Sequence, residues 1–297
     1  MVSVVINTLN EEENLPRVLK SVEEFADEIV VVDMHSEDKT QQIAKEHGAK
    51  VYEHERMGYV EPARNFAIEK AKGDWILILD ADEELSEDLA DKLLEIMEKD
   101  KYDYAAIPRK NIVFGKWLQH SRWWPDYNIR FFRKGLVTWH KEIHSVPMTN
   151  GEGMDVEAKE ELAIIHHHYE TIEQYILRLN RYTTKHAETK KQEGYVFEWK
   201  DVLVKPSSEF LSRYFFGQGY KDGLHGLAVA SLQAFSELVL YLKVWQLNKF
   251  VEKNLDYKEV IETMKKVNKD ENYWYADTFM KEHGGFQNMV KRKLKLP

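Results

Sequence analysis

Asp80 and Asp82 close the segment 75–82, WILILDAD, in which five largely apolar residues run straight into two carboxylates two positions apart. An apolar run bounded by polar residues predicts a buried central strand. The carboxylates then lie just past its carboxyl end, where open α/β sheets bind their ligands. In extended backbone, residues i and i+2 point to the same side, so two hard oxygen donors face one point. Such a pair suits Mg²⁺ or Mn²⁺ shared with a substrate phosphate. Glu83, Glu84 and Ser86 follow directly, and a polar strand end leading into a helix cap would use the same residue types.

The elements that must position this pair read as an alternation. Val2–Thr8 is a β-branched run followed by Asn10, Glu11 and Glu12, and Pro16 opens a helix through about Phe25. Ile29–Val32 is a second buried run ending at Asp33, with Ser36, Asp38 and Thr40 behind it. Lys50–Tyr52 makes a short third strand, and a helix over about Glu61–Lys72 carries Arg64 and Asn65. Strand and helix in alternation predict a parallel, doubly wound α/β sheet. Strands ending at Asn10, Asp33 and Asp80 gather their polar groups on one sheet edge. Neither a Walker A loop nor a dinucleotide fingerprint is present, so phosphates must be met by a metal and by cations, with Arg64 the nearest candidate.

At this level the N-terminal 110 residues resemble family 2 glycosyltransferases of the GT-A fold. The resemblance is carried by VSVVINTLNEEENL, EIVVVDMHSEDKT and GYVEPARNFAIEKAKGDWILILDADE in that order. It implies that Thr8, Asn10 and Glu12 line a nucleotide pocket together with Ser36 and Ala81, that Asp33 meets the base, and that Arg64 lies near the diphosphate. It also implies that Asp80 and Asp82 form the Asp-X-Asp motif for Mn²⁺ or Mg²⁺ and that the donor is a UDP-sugar. Within the family the chain is most similar to the lipopolysaccharide core glucosyltransferase type.

Composition bounds the alternatives. The chain has 297 residues, 31% charged and 43% hydrophobic, enough for one large core and an appended region. A net charge of −9 excludes nucleic acid as the main partner, since backbone binding needs a basic face. With no cysteine, disulfides, thiolate metal sites and a cysteine nucleophile are excluded, which fits a reducing, cytoplasmic setting. The first strand begins at the N-terminus, so no signal peptide is expected.

The middle of the chain should hold the acceptor side. Tyr104–Phe114 predicts a strand, and Trp117, His120, Trp123, Trp124, Pro125, Asp126 and Tyr127 form an aromatic-rich run. Flat apolar rings beside polar tips suit sugar faces. The segment IRFFRKG adds a strand carrying Arg130 and Arg133. Inverting glycosyl transfer needs a base for the acceptor hydroxyl, and the candidates are Asp126, Glu142 and, behind them, His144, which also stands on the acceptor side. The sub-family's Trp-aromatic-Pro-Asp motif matches residues 123–126. Its later His-Glu pair does not match, because Ser145 follows His144 and Glu142 stands two residues earlier.

Residues 162–169, LAIIHHHY, predict a strand ending in three histidines, of which His166 and His168 share a side. The resemblance selects His168, before Tyr169, as the histidine completing the metal site. Beyond it, residues 173–192 predict a long charged helix. Between Leu224 and Leu242 only Glu237 is charged, but Gly226, Ser231, Gln233 and Ser236 interrupt the stretch, so a transmembrane span is not expected. Apolar residues at 224, 228, 235, 238, 242 and 245 form a helical stripe that packs on the catalytic domain, on a partner, or in the membrane interface. The expectation is a GT-A catalytic domain over 1–170, with the acceptor half at 111–170, and a helical extension over 171–297. The expected activity is inverting, metal-dependent transfer from a UDP-sugar to a cell-surface glycan or glycolipid precursor, with a peripheral contact on the inner face of the membrane. Transfer to a polyprenyl phosphate or peptide side chain, and nucleotide-sugar binding without turnover, are the alternatives.

Overall fold

Seven consecutive buried residues, Val2–Thr8, form the central strand β1. Its neighbours are β2 (Glu28–Asp33), β3 (Lys50–Glu53) and β4 (Trp75–Asp80), all parallel to it or to one another. Runs apolar on both faces require cover on both faces. Helices α1 (Leu15–Val22) and α4 (Glu87–Lys99) bury Leu15, Leu89 and Leu93 against Ile6, Leu77 and Leu79. Helix α3 (Glu61–Lys70) places Ala63 and Ala67 against Val5, Ile76 and Ile78 on the other side, while α2 (Thr40–Glu46) connects β2 to β3. The computed structural model describes residues 1–56, 61–139 and 147–296.

After β4 the short β5 (Glu83–Glu84) precedes α4, and β6 (Tyr104–Val113), β7 (Lys116–Trp117) and β8 (Asp126–Arg133) follow. Then come β9 (Val137–Thr138), β10 (Met148–Thr149), β11 (Gly153–Asp155) and β12 (Ile164–Tyr169). The sheet runs β3-β2-β1-β4-β8-β6-β12-β5, with β8 antiparallel to both β4 and β6. Because β5 returns to pair antiparallel with β12, the residues just past β4 are carried to the strand with the histidines. The expected parallel half is present, and the acceptor half adds antiparallel strands to the same sheet.

The described chain divides into two units, the first Met1–Ile112 with Trp124–His168 and the second Val113–Trp123 with Tyr169 onward. The sequence reading put residues 111–123 with the catalytic half; the structure moves most of them. Val113 and Leu118 pack with Tyr169, Tyr175, Leu179 and Val229. Buried Asp222 accepts hydrogen bonds from the Gln119 and His120 amides and meets the His120 ring. Lys116 donates to the Asp222 carbonyl. These partners lie a hundred residues downstream, so local pattern carries no trace of them.

The second unit contains α5 (Ile172–Gln192), α6 (Asp201–Leu211), a π-helical turn at Ser212–Phe216, a 3₁₀ turn at Gly219–Asp222, α7 (Gly223–Leu247), α8 (Tyr257–His283) and α9 (Phe286–Leu294). α7 buries Gly226, Val229, Ala230, Leu240, Tyr241 and Val244 and packs on α5 and α6. The stripe read from the sequence is largely a different face: Leu224 is 76% exposed, Phe235 46% and Leu242 39%. Among the described residues, the run Gly219–Leu247 is the one helix long and apolar enough to cross a membrane, with mean hydropathy 1.4.

Candidate active site

β1 and β4 are in register with Asn7 opposite Asp80, and β1 and β2 with Thr8 opposite Asp33, so the polar strand ends share one edge of the sheet. At that edge Asp80 is claimed by two arginines. Arg64 of α3 donates to Oδ1 at 2.6 Å, and Arg130 of β8 donates to Oδ2 at 2.6 Å. Burial pushes the Asp80 carboxyl up, but the charges of Arg130 and Arg64 and their hydrogen bonds outweigh it and hold the carboxyl well below the usual carboxylate range. Asp80 is therefore a fixed anion, and Arg64, expected near the diphosphate, is tied to it.

A chain of alternating charge runs on from there. Arg130 also donates to Glu83 Oε1 at 2.7 Å, and Arg109 of β6 reaches the same oxygen at 3.2 Å. The second Glu83 oxygen accepts from the Asp80 amide at 2.9 Å, which fixes the turn after β4. Arg109 then places Nη2 and Nε on Asp126 Oδ2 at 2.6 and 3.0 Å, and Asn111 Nδ2 adds a third bond at 3.1 Å. Among the described residues, Asp126 Oδ1 accepts from the Asn128 side-chain amide, at 3.4 Å. One oxygen of the candidate base takes three donors and the other one long bond, and the side chain is 31% exposed. The order is Asp80, Arg130, Glu83, Arg109, Asp126: three carboxylates separated by two guanidiniums, with the Glu83 side chain fully buried. Each internal charge has an opposite partner, as burial demands.

The predicted histidine geometry holds on β12. His166 and His168 lie on one side, with His168 Nδ1 3.2 Å from His166 Nε2, while His167 turns to Glu84. His166 Nδ1 lies 2.6 Å from Asn111 Oδ1. Because Asn111 Nδ2 is committed to Asp126, its oxygen must face His166 and accept from it. His166 Nε2 is then the accepting nitrogen, shared between His168 Nδ1 at 3.2 Å and the neighbourhood of Asp82 Oδ1 at 3.7 Å, and it is the nitrogen that could turn to a metal. His166 lies beside both Asp82, at 3.7 Å, and His168, at 3.2 Å, so the histidine that the family resemblance did not select belongs to the cluster. Among the described residues no three carboxylates or imidazoles converge closely enough to enclose an ion. One carboxylate with one or two imidazoles still fits Mn²⁺ or Mg²⁺, since these ions keep waters and substrate phosphates in their coordination shell.

The residues assigned to the nucleotide are together but occupied. Asp33 is fully buried; Oδ1 accepts from Thr8 and Ser36 hydroxyls at 3.0 and 2.5 Å, and Oδ2 from the Ser36 amide and Gln41 at 2.9 and 2.8 Å. Four donors fill the sites of a carboxylate, so here Asp33 ties the ends of β1 and β2 and has no vacant lone pair for a base. Asn10, in the left-handed region at φ 57°, donates its amide to Ser36 and accepts from Glu37. Glu12 exchanges bonds with Asp38 and the Lys39 amide. Ala81 is buried in the core cluster with Leu79 and Leu85.

Of the acceptor residues, Trp124 and Arg130 lie in the first unit with Asp126, while Trp123 packs in the cluster of the second. Glu142 and His144 lie outside the described residues. Sequence reasoning missed Glu83, Arg109 and Asn111; the period-2 spacing of Arg109 and Asn111 on a predicted strand was the available signal. It also missed Asn7, 6% exposed, whose side-chain amide nitrogen and oxygen have no partner among the described residues. Buried orphan amides are rare enough to point to a ligand or an ordered water.

Residues 3–151 match the family described as Glycosyl transferase family 2. An uncharacterised glycosyltransferase of Rickettsia typhi is 30% identical over 256 residues, covering 83% of this chain and 87% of that protein. The lipopolysaccharide core biosynthesis glycosyltransferase LpsC of Rhizobium meliloti is 26% identical over 253 residues, covering 82% and 92%. Among solved structures, S. aureus TarS 1–349 in complex with UDP aligns over 86% of this chain and 93% of that one, at 15% identity and a TM-score of 0.46. With its mostly parallel, doubly wound sheet of GT-A type and the family match across half its length, the chain is a glycosyltransferase and belongs to glycosyl transferase family 2.

Proposed function

We propose that the protein transfers a hexosyl unit, with inversion, from a UDP-sugar to a hydroxyl of a cell-surface glycan or glycolipid precursor, working at the inner face of the membrane. The observation that carries this reading is the meeting of the Asp-Ala-Asp turn with the β12 histidines, with Asp80 neutralised by two arginines. Asp82 and His168, with His166 beside them, would hold Mn²⁺ or Mg²⁺. The ion supplies charge stabilisation to the departing diphosphate. Uridine as the base follows the family resemblance, and an envelope acceptor follows the similarity to LpsC.

The chain's own groups divide the remaining work. Arg64 and Arg130 hold Asp80 as a fixed anion that orients the donor. Arg109 and Asn111 clamp Asp126 so that Oδ1 meets the acceptor hydroxyl, whose proton it takes as the hydroxyl attacks. Glu142 is the competing base.

Calorimetry of UDP with and without Mn²⁺ tests the donor reading. We expect binding that requires the ion and disappears in Asp82→Ala while the circular dichroism spectrum is retained; metal-independent UDP binding sinks the metal assignment. A thermal-shift panel of UDP, GDP, CDP and TDP with Mn²⁺ should show UDP stabilising most, and a larger shift with GDP overturns the donor. Asp126→Asn should keep UDP affinity and lose transfer, with Glu142→Gln only mildly impaired. The reverse pattern moves the base to Glu142.

A further inference from the structure

The second unit contains a cavity of about 340 Å³ that no part of the transfer reaction uses. Its walls come from the segment leading into α6, from α6 itself, from the end of α7 and from the chain entering α8. Phe197, Trp199 and Trp245 supply aromatic faces, and Leu203 and Leu242 supply aliphatic ones. Lys253 is the one lining residue with a charge. Two of the wall's polar groups are bonded from within: Trp245 Nε1 donates to the Val251 carbonyl at 3.1 Å, and Lys253 Nζ to the Phe197 carbonyl at 2.9 Å. An ammonium has three protons to donate, so Lys253 retains donors for a further partner.

The volume is that of a small-molecule pocket, and the lining is the usual one of apolar surface with a single orienting polar group. A sugar would find rings here but, apart from Lys253, no charged side chain for its many hydroxyls. A hydrocarbon chain needs none. The cavity also adjoins exposed apolar surface, since Leu242 belongs to its wall and to the exposed stripe of α7, and Val251 and Leu255 are 56% and 53% exposed. We propose that this cavity binds the hydrocarbon chain of a lipid, with the lipid's anionic head group at Lys253. The site is independent of the donor chemistry proposed above.

The protein carries its own reporters. Trp199 and Trp245 are two of eight tryptophans, and a bromine atom quenches indole fluorescence only at short range. Titration of the full-length protein with terminally brominated undecanoate, below its micellar concentration, should give saturable partial quenching that is lost in the Trp199→Phe/Trp245→Phe double variant. Leu242→Glu, at a half-exposed wall position, should weaken binding roughly tenfold or more by forcing a carboxylate against the chain. If that variant fails to melt cooperatively, Leu255→Glu tests the same wall from the α8 side. Lys253→Gln should remove most of the preference for the brominated acid over the brominated alcohol. Vesicles of brominated phosphatidylglycerol decide the source: quenching by them shows a chain drawn from a bilayer, and quenching by the free acid alone shows a diffusible lipid. Unsaturable quenching, or equal binding by wild type and both carboxylate variants, overturns the proposal. The UDP calorimetry stands or falls separately.

Discussion

Glu83 is the residue on which the site's geometry turns. Its side chain has no solvent exposure and joins Arg130 to Arg109 through one oxygen while the other fixes the Asp80 amide. Glu83→Ala leaves two guanidiniums in the interior with one partner fewer each, and removing one member of a buried ion pair costs about 3–5 kcal/mol. Urea unfolding should show that loss, whereas Lys99→Ala, which breaks an exposed pair with Glu95, should change stability by no more than about 0.5 kcal/mol. The sequence reading singled out Asp80 and Asp82 because acidic residues at a strand end are a visible pattern, and Asp126 through the Trp-aromatic-Pro-Asp motif of the family it resembles. It could not find that Asp80 and Asp126 are linked, because the link passes through three strands. The same limit explains Asp33: its type and place were legible, and its four internal donors were not.

At the scale of elements, β1 and β2 are joined by Glu28, which accepts from Ser3 Oγ at 2.6 Å, the Lys72 amide at 2.7 Å and Lys50 Nζ at 2.6 Å. Burial pushes its carboxyl up, but these hydrogen bonds, with Lys50 foremost, bring it below its ordinary value. A carboxyl depressed in the folded state stabilises it above the unfolded pKa and ceases to do so as pH falls through the folded one. The stability gap between wild type and Glu28→Gln should thus be full at neutral pH and shrink below about pH 4; a gap independent of pH refutes the linkage. α7 offers a second contrast. Leu240 is 5% exposed and Leu224 76%, so Leu240→Ala should cost about 2–5 kcal/mol and Leu224→Ala about 0.5 kcal/mol or less. Helical periodicity announced a stripe at 224, 235 and 242, but it does not say whether a stripe points inward. In a helix apolar on most sides, the small residues Gly226 and Ala230 mark the packed face, because α7 approaches its neighbours there. A Cβ on Gly226 would stand 1.8 Å from the Gly219 carbonyl oxygen, so Gly226→Ala should cost about 1–3 kcal/mol through overpacking, read as a lowered melting temperature.

For the whole molecule, the boundary that sequence reading placed at residue 170 falls at 168 on one side, but the chain crosses between units three times rather than once. Val113–Trp123 leaves the first unit, contributes Val113 and Leu118 to the core around Tyr169, Tyr175 and Val229, and binds Asp222 through Lys116 and His120 before the chain returns at Trp124. Charge, composition and motif order made the family and the first unit's sheet legible, since those depend on local runs. An excursion of eleven residues has no such signature, and its aromatic content pointed instead to an acceptor site. The consequence is a testable asymmetry. A protein ending at residue 168 contains every strand of the α/β sheet up to its last residue, yet loses Tyr169, Tyr175, Leu179 and Val229 from the cluster around Val113 and Leu118, and Asp222 from Lys116, Gln119 and His120. Val113 and Leu118 would then face water in the middle of the first unit's sequence. We expect the 1–168 fragment to bind anilinonaphthalene sulfonate and to unfold without a sharp transition in urea. Replacing Val113–Trp123 in that fragment with a short Gly/Ser linker should restore a cooperative transition, because the first unit's own core contains none of these residues. Cooperative unfolding of the unmodified 1–168 fragment, without dye binding, would show that the excursion belongs to the first unit after all.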